Sequence, residues 1–326
     1  MNTPVRARAQ GQSPAAIGAL AVLVCLAATA SCVRRIPPAA PDRPPAGCSY
    51  QYSASVTIHC EQEGGGEETF LLLHGFGTSL ETWHDVRPAL ARRGRVLMLD
   101  LKGFGRSSKP ADAVYTPADQ ADIVAAFISE RRLSRIVLAG HSYGGGVALL
   151  SHDRLARQGR DAVKALILID AALYRQELPF FIEGLRVPLL NRLFLALTTP
   201  EFRARFTLRR IYRNQEAVTD ERVERHARFL DAPGAREASI QVAMQINNLD
   251  FEKVERAVRA VRVPTLIVWG ERDPVIPIAN AHRLHDAIEH SRLEVIPASG
   301  HVPHEEYPET TLGAIFGFLG MREAVR

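Results

Sequence analysis

Cysteine is scarce: four residues are scattered over a chain of 326, and none of them stand as a close pair. That spacing excludes a disulfide-built mini-scaffold and offers no Cys-x-x-Cys zinc site. The eleven histidines include no H-E-x-x-H pattern, and Asp100-Leu101-Lys102-Gly103-Phe104-Gly105-Arg106-Ser107 lacks the Gly-Lys-Ser/Thr ending of a phosphate loop. No metal or organic cofactor is therefore implied. No internal repeat is present, and a basic block of the kind that neutralises nucleic-acid phosphates is missing. The formal charge of +4 includes Arg6 and Arg8, and the arginine-dense region 203–236 is interleaved with Glu216, Asp220, Glu221, Glu224 and Asp231. It reads as a solvated helical face, and no nucleic-acid partner is expected. Hydrophobic content of 46%, charged content of 23% and aromatic content of 7% describe an ordinary globular chain, with length enough for one large domain or two smaller ones.

The amino terminus reads as an address. No charge occurs between Arg8 and Arg34, and the apolar centre, Ala15 to Ala28, fits a signal-peptide core but is short for a membrane span. Ala28-Thr29-Ala30 offers a signal-peptidase site, whereas Thr29-Ala30-Ser31-Cys32 resembles a bacterial lipoprotein box with Thr29 in place of the usual aliphatic residue. Residues 1–31 are thus expected to direct export, with Cys32 as a candidate for lipidation and the cell envelope as destination. A periplasmic or secreted form is the alternative. Cys25 leaves with the signal, so Cys48 and Cys60 remain as an even pair for a possible disulfide worth about 3 kcal/mol. Pro37, Pro38, Pro41, Pro44 and Pro45 predict an extended tether, placed at 32–52.

From Ser53 to Cys60 an alternating pattern predicts an edge strand. Short apolar runs follow at Phe70–Leu73, Val96–Leu99, Ile136–Ala139, Leu166–Ile169, Thr265–Trp269 and Leu293–Ile296, separated by helical stretches at Asp119–Glu130, Val147–Arg157 and Asn280–Glu289. This alternation predicts an α/β fold with a mainly parallel sheet flanked by helices. Residues 174–247 break the rhythm, with Leu/Phe groups and prolines but no strand pattern, and read as a helical cap inserted between core segments 53–173 and 248–326.

Gly140-His141-Ser142-Tyr143-Gly144 stands directly between the strand IVLA and the helical GGVALL. A serine on such a tight turn projects its hydroxyl above the sheet, and the flanking glycines remove side chains that would collide there. Ser142 is accordingly the candidate nucleophile, and Tyr143 offers a backbone N–H at the first turn of the helix.

These residues, in this order, resemble the α/β-hydrolase family in its serine-nucleophile, esterase- or lipase-like branch, from about residue 70 to 308. Leu73-His74-Gly75-Phe76-Gly77 resembles the family's oxyanion loop, which implies Phe76 as second N–H donor and a loop-ordering role for His74. Ala298-Ser299-Gly300-His301-Val302-Pro303-His304-Glu305-Glu306-Tyr307-Pro308 resembles its histidine loop, which implies His301 as base, with His304 as the rival. Asp273, in Trp269-Gly270-Glu271-Arg272-Asp273-Pro274, takes the orienting-acid role, and Asp170 is the competing carboxylate. The chain order Ser142, Asp273, His301 is the one this architecture uses.

The resemblance implies attack of Ser142 on an acyl carbonyl of a small-molecule substrate, with carboxylic-ester cleavage as the broadest expectation. A carbon–carbon bond hydrolase of ring-cleavage products, an amidase, or a non-catalytic ligand-binding homologue are the alternatives. Export is awkward for a cytosolic ring-degradation pathway. Phe180, Phe181 and the Leu189–Leu197 group are candidates for an apolar acyl pocket.

Overall fold

The fold is that of a computed structural model, described for residues 48–112 and 114–321. The expected signal segment, Cys32 and the proline-rich stretch up to Gly47 lie outside the described residues.

Eight strands form one sheet: β1 (Ser49–Ser53), β2 (Val56–Glu63), β3 (Thr69–Leu73), β4 (Arg95–Leu99), β5 (Ile136–His141), β6 (Val163–Ile169), β7 (Thr265–Gly270) and β8 (Ser291–Ile296). They lie in the order β1-β2-β4-β3-β5-β6-β7-β8; β1/β2 and β2/β4 are antiparallel and every other pair is parallel. The blunt apolar runs become strands because both their faces are covered. Leu71, Leu73, Leu97, Leu138, Leu168 and Ile267 face one core, with the helices Pro117–Glu130, Tyr143–Arg157 and Phe251–Ala260. Their sequence neighbours Phe70, Leu72, Met98, Val137, Ile167 and Val268 face the other core, closed by Arg87–Ala91 and Pro308–Phe318. This is the period-two alternation of a pleated strand, with apolar partners on each side.

Two expectations are corrected at the sheet edge. The stretch 53–60 divides: Ser53 ends β1, and the second strand begins at Val56 and runs on to Glu63. Residues 49–52 are therefore sheet and not tether. Tyr50 holds them there, since its ring is buried against Phe127 and its hydroxyl donates to Glu130 at 2.8 Å.

Between β6 and β7 the chain builds a helical insertion: Phe180–Leu185, Leu190–Leu197, Pro200–Ile211, Asp220–Ala227 and Ala235–Gln245. Thr199 and Thr219 cap two of these helices through their hydroxyls, accepting from the N–H groups of Phe202 and Arg222. Ala204, Leu208, Tyr212, Val223 and Ala227 make a small core of their own that also takes in Val302, next to His301. The arginine-rich face is not uniformly solvated as expected. Arg203 and Arg222 are buried, the first ion-paired with Asp231 and the second with Asp85 at 2.7 Å. Acids distant in the chain fold back onto these guanidinium groups, so the positive charges serve packing. No helix among the described residues is long and apolar enough to cross a membrane.

Candidate active site

Ser142 sits between the end of β5 and the start of the helix Tyr143–Arg157, at φ 52° and ψ −118°. This strained conformation is sustained by its surroundings: its N–H donates to Ile169 at 2.9 Å and its carbonyl accepts from Ala172 at 2.9 Å. Gly140 and Gly144 are obligatory here. A Cβ on Gly140 would lie 2.2 Å from the Gly144 carbonyl oxygen, and one on Gly144 would lie 2.4 Å from that of His74.

His301 brings the relay together. Its Nε2 lies 2.9 Å from Ser142 Oγ and its Nδ1 lies 2.8 Å from Asp273 Oδ2. The other Asp273 oxygen accepts from the N–H groups of Val275 and Ile276, at 2.7 and 3.1 Å. The Asp273 side chain is sealed from solvent, so the acid is oriented from both ends. In this arrangement Nδ1–H donates to Asp273, and Nε2 is left to accept the serine proton. The loop is tied to the insertion: the His301 N–H donates to Ile211 at 2.9 Å, while Glu306 accepts from Gly300 at 2.9 Å and from Arg213 at 2.7 Å.

Phe76 lies in the loop pressed against Ser142, where a Cβ on the preceding Gly75 would come 3.3 Å from Ser142 Cβ. Tyr143 opens its helix, where backbone N–H groups have no partner within the helix. His74 does not face the nucleophile. Its Nδ1 donates to the Gly75 carbonyl at 2.8 Å and its Nε2 accepts from Leu101 N–H at 3.0 Å, which orders the loop. Asp100 is structural as well, accepting from Leu80 and Arg106.

The rival residues are near the relay but outside it. His304 stacks on Trp83 and bonds Thr82 at 3.1 Å; burial pulls its pKa down to about 4, so it is neutral. His141 is also neutral, because burial first and then the neighbouring His304 and His301 hold its pKa well below the usual imidazole range, and its Nε2–H donates to the His301 carbonyl at 2.8 Å. Asp170 stands within the 4.8 Å cluster of Asp273 and His301, accepts from Gly270 N–H at 3.0 Å, and leaves its second oxygen without a partner. Burial, reinforced by the Asp273 charge, drives its carboxyl well above the ordinary range, as suits an acid kept protonated.

Above Ser142 a cavity of about 160 Å³ opens beneath the insertion. Phe180, Phe181, Phe194 and Phe206 line it, with Arg203 and Arg236 at its polar wall. Both arginines are held by Asp231. The candidate acyl pocket includes Phe180, Phe181, Phe194 and Leu195; Leu189, Leu193 and Leu197 are instead exposed.

One polar cluster escapes sequence reasoning. Glu305 is buried and accepts from Tyr212 at 2.6 Å and Thr82, with His226 at 3.0 Å and Arg222 at 3.5 Å. Burial raises its pKa, but the hydrogen bond from His226 and the Arg222 charge outweigh that and keep the group a carboxylate. Its sole signal in the sequence is adjacency to Glu306; its partners come from 79 to 223 positions away.

The model of the Alpha/beta hydrolase family matches residues 70–314. The chain belongs to the α/β-hydrolase family. Its Ser-His-Asp machinery and helical insertion place it with the serine hydrolases of that family. It is 31% identical over 280 residues to the 2-hydroxy-6-oxo-6-(2'-aminophenyl)hexa-2,4-dienoic acid hydrolase of Metapseudomonas resinovorans, covering 80% of this chain and 87% of that one. It is 28% identical to the 2-hydroxymuconate semialdehyde hydrolase of a Pseudomonas species, over 83% and 93% of the two chains. Among solved structures, a thermophilic esterase of Thermogutta terrifontis superposes with a TM-score of 0.65 at 29% identity, covering 83% of this hydrolase and 96% of the esterase.

Proposed function

We propose that this α/β-hydrolase breaks the carbon–carbon bond beside a carbonyl in a largely apolar keto acid, passing the acyl half through an ester on Ser142. The observation that carries this is the Ser142-His301-Asp273 relay opening into an aromatic-lined cavity. The choice of bond rests on the two relatives named for hydrolysis of dienoic acid and semialdehyde compounds.

His301 Nε2 takes the Ser142 proton as Oγ attacks the carbonyl carbon, and Asp273 steadies the resulting imidazolium. The Phe76 and Tyr143 N–H groups receive the oxyanion, an interaction worth roughly 3–4 kcal/mol per donor in the enzyme where it was measured. As the carbonyl re-forms, the bonding electrons leave with the departing carbon, which a conjugated dienoate can stabilise, and that carbon takes the proton from His301. Water then gives its proton to His301 and attacks the acyl ester; the proton returns to Ser142 Oγ as the acid departs.

Ester cleavage is the second reading, favoured by the esterase relative and by the engagement of both cavity arginines with Asp231. A ring-cleavage dienoate ketone assayed beside p-nitrophenyl esters of increasing acyl length decides between them. Loss of the dienoate absorbance in wild type but not in Ser142→Ala supports carbon–carbon cleavage, whereas turnover of esters alone supports the second reading. Absence of fluorophosphonate labelling of the folded protein would sink both.

We further propose export, with Cys32 as the anchor point and Cys48 bridged to Cys60. In support, Cys48 and Cys60 face each other across β1 and β2, their Cα atoms 5.0 Å apart and the Cys60 N–H donating to the Cys48 carbonyl at 3.0 Å. Cys32→Ser should move the protein from the membrane to the soluble envelope fraction; unchanged fractionation refutes anchoring at this residue.

A further inference from the structure

His226 lies on the helix Asp220–Ala227 of the insertion, lines the cavity, and touches both halves of the active site. Its Nε2 is 3.0 Å from Glu305 Oε2, in the short helix that begins two residues after His301. Its Nδ1 is 3.2 Å from Thr78 Oγ1, two residues past Phe76 in the oxyanion loop. The neutral ring with its proton on Nε2 satisfies both contacts: Nε2–H donates to the Glu305 carboxylate, and Nδ1 accepts the Thr78 hydroxyl. The helix that presents it is fixed independently, because Arg222 donates to the Glu305 carbonyl at 2.8 Å and pairs with Asp85.

We infer that His226 is a positioning residue, a strut from the insertion that sets the oxyanion loop against the histidine loop and so couples seating of the insertion to the geometry around Ser142. The inference rests on the acyl-transfer reading of Ser142 and adds to it a residue that touches none of the reacting atoms. Phe76 belongs to a loop with glycines on either side at positions 75 and 77, so its register depends on what holds the loop beyond them. Thr78 is the first hydroxyl after that segment, and its partner in the structure is His226. Loss of the strut frees the donor to drift from the position the oxyanion takes, and displacements of about 1 Å in such sites cost up to a hundredfold in rate.

The test is the rate at which a fluorophosphonate modifies Ser142, resolved into the inactivation constant kinact and the affinity KI, in a double-mutant cycle of His226→Ala and Thr78→Val. Each single variant is expected to lower kinact about tenfold with KI unchanged, and the double variant to be no slower than the slower single one, since both remove the same link. A fraction of misfolded protein would reduce the amplitude of labelling and leave kinact alone. Should His226→Ala fail to fold, His226→Leu, which fills the space of the ring and offers Thr78 no acceptor, replaces it in the same cycle with the same expectation. Unchanged kinact in the single variants, or multiplicative losses in the double, overturns the strut. Wild-type protein that resists labelling altogether would remove the acyl-transfer reading, a result distinct from either.

Discussion

Replacing Asp273 by Asn tests the relay where the geometry leaves the side chain no freedom. One Asp273 oxygen accepts from His301 Nδ1 at 2.8 Å, and the other accepts from the Val275 and Ile276 N–H groups at 2.7 and 3.1 Å. Asparagine has almost the same shape but a single acceptor oxygen. Turning its NH2 group towards the two backbone donors would strand both N–H groups, at roughly 1–3 kcal/mol each. The oxygen therefore stays with Val275 and Ile276, and the NH2 faces Nδ1, which must become the acceptor. The imidazole proton then sits on Nε2, aimed at Ser142 Oγ 2.9 Å away, and the base is lost. The equivalent change in a serine protease lowered kcat by about 10⁴, which corresponds to about 5.5 kcal/mol of barrier. A loss of 10³ to 10⁴ in the rate of fluorophosphonate labelling is expected here, with circular dichroism unchanged. Retention of more than about a tenth of the wild-type rate would refute the tautomer argument. Asp170, whose second oxygen has no partner, would then be the acid to replace.

Three further outcomes follow from the packing and the charges. Gly144→Ala would set a Cβ 2.4 and 2.5 Å from the His74 and Leu73 carbonyl oxygens, both backbone, and should cost about 1–3 kcal/mol in urea unfolding; an unchanged midpoint contradicts the close approach of helix and strand. Asp170 keeps its proton in the fold at pH values where the unfolded chain ionises, so the folded state binds more protons and this residue's contribution to stability falls as pH rises from about 4 towards its raised pKa. Asp170→Asn should flatten that slope in thermal unfolding, and an identical slope would exclude the group as its source. If Cys48 and Cys60 are bridged, intact protein should weigh two hydrogens less before reduction than after, and the double serine variant should lose about 3 kcal/mol; equal masses would dismiss the bridge.

Ser142 was legible because its turn carries a local constraint, the need for small residues at 140 and 144, which is written in neighbouring residues. His301 after Gly300 and Asp273 beyond a strand end were legible through their resemblance to the family's loops. The parallel sheet was legible for a related reason, since strands covered on both faces read as short apolar runs. The edge was less clear: Tyr50 becomes part of a strand only through Phe127 and Glu130, far along the chain.

What the sequence determined alone, then, was the alternation of strands and helices in the core and the nucleophile on its turn, because each depends on backbone requirements met within a few residues; the base and acid came with the resemblance to the family. Tertiary structure decided which charges are buried and what they hold. Arg222 and His226 stand on a helix whose composition suggests a solvated face, and they turn inward because Glu305, Asp85 and Thr78 are brought there from 79 to 148 positions away. A buried charge is stable only beside its partner, and sequence spacing carries no record of such a meeting.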